Sequence, residues 1–322
     1  EETRSGTQSM KILVLGAGAV GGYFGGRLVQ AGADVTFLVR PKRAELMARE
    51  GLRVKSRAGD IAQKVQLVTQ DALKPGYDMV ILTAKAYDLS SAIDAIAPAV
   101  QGECMVLPLL NGMSHLGVLD KRFGAERVLG GVAYIASTLG PDGTILHLGE
   151  FHKIAFGPRD GSPRADAVCR SLEALFAKTP VSHARSDSIL QVMWDKWVFL
   201  ASIAGMTAMM RAAIGDILEA DAGEKLLLGM FAECVSVAVA EGFPVSEAML
   251  ATHRKTLTQK GSVATASMMR DTENGGSTEA DQILGAMLAL ARKHSLATPI
   301  TEVAYTHMQA YAARRRREPA PA

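Results

Sequence analysis

Lys11-Ile12-Leu13-Val14-Leu15-Gly16-Ala17-Gly18-Ala19-Val20-Gly21 is the stretch that decides the fold. Residues 11–15 form a short, continuous apolar run, the mark of a strand covered on both faces. The run passes directly into a Gly-x-Gly-x-x-Gly turn, and residues 20–30 behind it read as a helix. In a strand–turn–helix setting the three glycines have separate tasks. Gly16 permits the tight turn, Gly18 lets backbone approach a pyrophosphate, and Gly21 lets the helix pack on the sheet. The helix N-terminus then offers unpaired N–H groups to the phosphates. Gly16, Ala17, Gly18, Ala19, Val20 and Gly21 are therefore candidate dinucleotide-binding residues, against the plainer reading of a glycine turn with no ligand.

Outward from this unit, residues 35–39 read as a second strand, and Pro41 opens a helix at a position where its missing N–H is harmless. Further apolar strands are expected at 79–83, 105–110 and 128–136, alternating with helices such as 89–100. That alternation indicates a parallel sheet with helices on both faces. Residues 144–157 read instead as two antiparallel strands around a turn at Gly149-Glu150, flanked by His147 and His152. A helix at 166–178 and a strand near Val181 follow. After about Asp187 strand signals vanish, and helices are expected at 188–212, 222–241, 246–258, 279–294 and 300–315. Gly242-Phe243-Pro244 and Gly275-Gly276 break them. The expected fold class is α/β: a Rossmann-type dinucleotide-binding domain over 10–187, followed by an all-helical substrate and catalytic domain over 188–322. Met10 reads as the natural start, residues 1–9 as an extension or tag remnant, and Arg314–Arg317 as a frayed helix end.

Composition narrows the function. The 322 residues carry 35 Lys plus Arg against 33 Asp plus Glu, a net charge of +2. Such a balance argues against a broad basic surface for nucleic acid or membrane. The longest apolar runs, 197–210 and 226–232, fall short of the ~20 residues that span a bilayer. The first nine residues lack the apolar core of a secretory signal. Cys104, Cys169 and Cys234 lie far apart with no Cys-x-x-Cys pair, so neither a disulfide framework nor a cysteine zinc site is expected, and reducing cytoplasm is the expected compartment. The seven histidines show no metal-ligand spacing, so no metal is expected. Apolar surface in the helical half is compatible with a homodimer, and the oligomeric state is left open.

Polar residues that interrupt apolar context mark the chemistry. The C-terminal end of the second strand carries Arg40, with Lys42 and Arg43 beyond, where an NAD-binding protein would place a carboxylate. A guanidinium there can pair with a 2′-phosphate, which favours NADPH over NADH. Lys85 and Asn111 follow core strands at the ends where ligands of open α/β sheets gather. Lys196 lies in Trp194-Asp195-Lys196-Trp197-Val198-Phe199, an otherwise apolar helix. A desolvated lysine has a lowered pKa and can donate a proton near neutral pH; one that snorkels to the surface or pairs with Asp195 is the alternative.

The glycine loop, Leu38-Val39-Arg40, Ala84-Lys85-Ala86, Leu110-Asn111-Gly112-Met113 and Trp194-x-Lys196 occur in an order and spacing that resemble the ketopantoate reductase (2-dehydropantoate 2-reductase) family. So do Ser267-Met-Met-Arg-Asp271 and the later Thr278-Glu279-Ala-Asp281-Gln-Ile283-Leu-Gly285. The resemblance runs from Met10 to about residue 312. It implies NADP(H) held by the loop, Arg40, Lys85, Asn111, the backbone near Ala136 and Glu279. It further implies a small 2-oxo acid substrate contacted by Asn111, Lys196 and Ser267. Lys196 would then protonate the carbonyl oxygen as hydride reaches C2, with Glu279 as its catalytic companion. One departure bears on the substrate. Family members place asparagines four and eight residues after the lysine and at a later turn, where this chain has Leu200, Ala204 and Ile214. Ketopantoate is the expected substrate and pantothenate biosynthesis the expected pathway, with a more apolar 2-oxo acid as the alternative. A related β-hydroxyacid-type dehydrogenase and a catalytically silent NADPH sensor are the competing readings.

Overall fold

A computed structural model describes residues 9–318. Residues 1–8, the bulk of the expected extension, and residues 319–322 lie outside the described residues. The described residues divide into an α/β unit (9–110 and 115–190) and a helical unit (111–114 and 191–318). Asn111–Ser114, which follows a strand in sequence, belongs to the helical unit.

In chain order the α/β unit holds β1 (Lys11–Leu15), α1 (Gly21–Gln30), β2 (Asp34–Leu38), α2 (Pro41–Glu50), β3 (Leu52–Lys55), β4 (Ile61–Gln63), β5 (Gln66–Val68), β6 (Met79–Leu82), α3 (Leu89–Ile96), β7 (Met105–Pro108), α4 (Ser114–Phe123, whose first residue falls in the helical unit), β8 (Gly130–Leu139), β9 (Ile145–Gly157), α5 (Pro163–Phe176) and β10 (Ser182–Arg185). One five-stranded sheet has the order β5-β2-β1-β6-β7. All its pairs are parallel, so Leu15 stands beside both Leu38 and Leu82. Its strands β6 and β7 are buried at every residue, as their continuous apolar runs require. Helix α1 lies close on this sheet because Gly25 has no side chain: a Cβ there would meet the Phe37 ring at 2.8 Å.

The second sheet, β10-β9-β3-β4 with β8 against β9, departs from expectation. Residues 128–136 touch the parallel sheet only at their start, where Val128 bridges Val106 of β7 in parallel; β8 itself pairs antiparallel with β9. Residues 145–157 are one strand of 13 residues, not two strands around a turn. The register steps from Ile135↔His152 to Ser137↔His147, so residues 148–151 bulge opposite Ala136. A bulge absorbs surplus residues while the ladder continues on both sides, which is why Gly149-Glu150 imitates a hairpin turn in the sequence.

The helical unit contains most of α6 (Ile189–Met210), then α7 (Ile214–Leu218), α8 (Gly223–Ala240), α9 (Glu247–Leu257), α10 (Ser267–Glu273), a π-turn (Asp281–Gly285), α11 (Ala286–Lys293) and α12 (Pro299–Arg317). Helix α6 is apolar around most of its circumference and correspondingly buried, with Trp197, Val198, Ala201, Ala204 and Met206 in the core. Its buried hydroxyls, Ser202 and Thr207, donate to carbonyls four residues back and leave no orphan donor. Helix α12 does not fray at its arginines: it runs to Arg317, Arg315 donates to the Gly275 carbonyl and the Ser277 hydroxyl, and Tyr311 donates to Gly276 O at 2.8 Å. Among the described residues no helix is long and apolar enough to cross a membrane.

Candidate functional site

Two groups of candidate residues stand out, one in each unit. In the α/β unit, Gly16 has φ +88°, a left-handed conformation that favours glycine, and its N–H donates to Leu38 O. Gly21 opens α1 under the loop; a Cβ there would lie 2.3 Å from Gly16 O and 2.4 Å from Thr83 Oγ1. Gly18 differs from both, because a Cβ on it would meet nothing within 4 Å. Its missing side chain therefore serves no packing inside the protein and leaves a backbone cradle open, the feature a pyrophosphate needs. Carbonyls around the cradle are tied back. Thr83 Oγ1 donates to Leu15 O, Ser137 Oγ to Ala19 O, and Arg43 Nη2 to Ala17 O at 3.1 Å and Gly143 O at 2.9 Å. Arg43 is thus a loop brace, a role the sequence could not show because both its partners are backbone. Arg40, by contrast, is exposed two residues past β2 at the start of α2. Lys85 is exposed after β6, and Ala136 is exposed opposite the β9 bulge.

In the helical unit, three side chains from distant segments meet. Lys196 Nζ, on α6, donates to Asn111 Oδ1 at 3.0 Å, and Asn111 Nδ2 donates to Glu279 Oε2 at 3.4 Å. The asparagine amide therefore links the ammonium to the carboxylate, its oxygen facing the cation and its NH2 facing the anion. Glu279 is only 5% exposed, and a buried carboxylate needs such donors. Lys196 as a whole is half-buried. Desolvation pushes its pKa down from 10.5 to about 8, partly opposed by the negative charge of Glu279.

The backbone around the trio is tightly fitted. Gly112 has φ +76°, and a Cβ on it would come within 2.8 Å of Gln282 O in the π-turn. Trp197 Nε1 donates to the next carbonyl, Ile283 O, at 3.0 Å. Ser267 opens α10, and the N–H of the preceding residue, Ala266, donates to Thr207 Oγ1 on α6, eleven residues after Lys196. At the positions where the resemblance implies asparagines, Leu200 is half-buried while Ala204 and Ile214 are 1% and 0% exposed members of the apolar core. Among the described residues no group of three or more His, Cys, Asp or Glu could hold a metal ion.

The family model described as ketopantoate reductase PanE/ApbA matches residues 12–161, and its C-terminal companion, ketopantoate reductase PanE/ApbA C terminal, matches residues 188–312. The chain belongs to the ketopantoate reductase family. It is thereby a member of an oxidoreductase family with a Rossmann-like domain and a helical C-terminal domain. A relative described as uncharacterized oxidoreductase YkpB of Bacillus subtilis is 37% identical over 94% of this chain and 99% of its own. The crystal structure of a 2-dehydropantoate 2-reductase from Geobacter metallireducens matches with TM-score 0.85 at 30% identity, covering 94% of this chain and 99% of that one. A D-mandelate dehydrogenase solved with NADH and anilino(oxo)acetate shares the fold, with TM-score 0.84 at 22% identity over 95% and 99% of the two chains.

Proposed function

We propose that the chain reduces a 2-oxo acid with NADPH, delivering hydride to C2 while Lys196 protonates the carbonyl oxygen. Ketopantoate, giving pantoate for pantothenate and coenzyme A synthesis, is the substrate we assign first. The observation that carries the reading is the buried ammonium of Lys196, held by Asn111 beside Glu279.

The glycine loop fits a dinucleotide, because the side-chain space at Gly18 is empty and the loop carbonyls are tied back. Gly16 to Gly21 would hold its pyrophosphate and Arg40 the 2′-phosphate, with Lys85, the backbone at Ala136, Asn111 and Glu279 assigned to the rest of the cofactor. When bound, NADPH supplies the hydride. Lys196 does three things on the protein side. Its charge attracts the substrate carboxylate, it stabilises the alkoxide that develops on the carbonyl oxygen, and it gives that oxygen a proton. A pKa near 8 suits it, since the ammonium is charged at neutral pH and still a competent acid. Asn111 fixes the direction of the Nζ–H bonds, and Glu279 keeps the ammonium charged against desolvation. Ser267 is assigned to the substrate carboxylate. A reaction drawing on NADPH, in a chain whose three cysteines are free, suits the cytoplasm.

A second reading concerns the substrate alone. Leu200, Ala204 and Ile214 cannot hydrogen-bond the hydroxyl of ketopantoate, at about 1–3 kcal/mol for a buried group left unsatisfied. That favours a 2-oxo acid with an apolar side chain. NADPH oxidation measured with ketopantoate beside branched and aryl 2-oxo acids tests both. Turnover of ketopantoate above the rest supports the first assignment, turnover of an apolar analogue above ketopantoate supports the second, and turnover of none rejects the reductase.

A further inference from the structure

The trio depends on a segment with irregular backbone. Between Glu279 and α11 the chain makes a π-turn, in which the Ala286 N–H donates to Asp281 O, five residues back. A π-turn holds one more residue than the α-helical turn it replaces, and such turns are rare and concentrated at functional sites. Relaxing it to α-helix would rotate everything on one side by about 100°, one residue's step around the helix. Glu279 lies on that side, two residues before the π-turn, so its aim at Asn111 and Lys196 depends on the turn persisting.

What holds the turn is visible around it. Trp197, adjacent to Lys196 on α6 and only 1% exposed, donates its indole N–H to Ile283 O at 3.0 Å. The Ile283 N–H in turn donates to Glu279 O at 3.0 Å. Gly112, adjacent to Asn111, lies so close to Gln282 O that no side chain fits between them. Tyr305 on α12 donates to the Asp281 carboxylate at 2.9 Å. Trp197 beside Lys196 and Gly112 beside Asn111 therefore both abut the same turn.

We propose that Trp197 is a positioning residue: its indole N–H, bonded to Ile283 O, holds the π-turn in the register that sets Glu279 and the Asn111-Gly112 turn beside Lys196. Its importance for turnover rests on the reading of Lys196 as proton donor, but the geometry it sets is a property of the protein alone. Trp197→Phe keeps the ring and removes the donor. In the assay above it lowers kcat about 10- to 100-fold, the scale expected for a misplaced catalytic group.

The decisive test needs no substrate. In the unliganded protein, the titration midpoint of Lys196 is read by competitive acetylation and peptide mass spectrometry, with Glu279→Gln as the reference for loss of the carboxylate. Trp197→Phe is expected to move the midpoint in the same direction as Glu279→Gln, and the double variant to move it no further, as for two changes acting through one link. Gly112→Ala, which presses on Gln282 O from the other side, is expected to do the same and serves if Trp197→Phe does not fold. A Lys196 midpoint unchanged in Trp197→Phe or Gly112→Ala, shifts that add in the double variant, or no response to Glu279→Gln would each overturn the proposal. A wild-type protein that reduces no 2-oxo acid yet shows the coupled titration would reject the reductase and leave the positioning role standing.

Discussion

In the α/β unit the candidate surface is backbone. Six consecutive residues, Gly16 to Gly21, shape it, and its quality rests on side chains that are missing. In the helical unit the candidate surface is made of side chains, and Asn111 reaches across 85 positions to Lys196 and 168 to Glu279. A backbone cradle is a local device: turn, helix start and phosphate contacts arise within one strand–helix connection. A buried ammonium with a matched amide and carboxylate requires packing to bring remote segments together, because an unpaired charge would not be tolerated there. The first should fail through bulk and the second through loss of a single functional group.

Substitutions can break that contrast. The largest effect is expected for Lys196→Ala, a loss in kcat of about 1,000-fold, within the range of general acid catalysis, with NADPH affinity by fluorescence titration unchanged. A parallel loss of NADPH binding would erase the division of labour between the units. Gly21→Ala should act in the opposite sense. Its Cβ would sit 2.3 Å from Gly16 O, so the loop must move, and NADPH should bind about 100-fold more weakly in a protein destabilised by about 1–3 kcal/mol. Gly18→Ala sharpens the point, since its Cβ meets nothing. Its unfolding free energy should match that of the wild type to within the roughly 0.5 kcal/mol typical of neutral surface changes, while NADPH affinity still falls. The smallest effect belongs to Arg40→Ala, which should cut the preference for NADPH over NADH about tenfold by removing one charge-assisted contact, without altering kcat.

Legibility in the sequence follows the same line. The βαβ start, the parallel sheet and the long helices were readable because each is encoded by local period and glycine placement. Asn111, Lys196 and Glu279 drew attention as polar residues in apolar surroundings or through family resemblance, and the structure hydrogen-bonds these three together, while Ser267 opens α10. Unreadable features depend on partners remote in sequence. The strand at 145–157 looked like a hairpin because a bulge and a turn use the same residues, and only pairing with β8 distinguishes them. Helices α7 and α10, of 5 and 7 residues, are too short to display a period. Arg43 and Trp197 act through backbone carbonyls 26 and 86 residues away, which no side-chain pattern announces.

The most direct measurement of the central assignment is the pH dependence of kcat for 2-oxo acid reduction in the wild type and in Lys196→Arg. Lys196 must be protonated to act as the acid, and burial has lowered its pKa to about 8. Wild-type kcat should therefore be level below that pH and fall as pH rises through it, about tenfold per unit for one proton lost. Arginine stays protonated throughout, so the variant, though slower, should show no such limb. A wild-type profile that stays level past pH 8, or an equal decline in Lys196→Arg, would contradict the assignment of Lys196 as the proton donor.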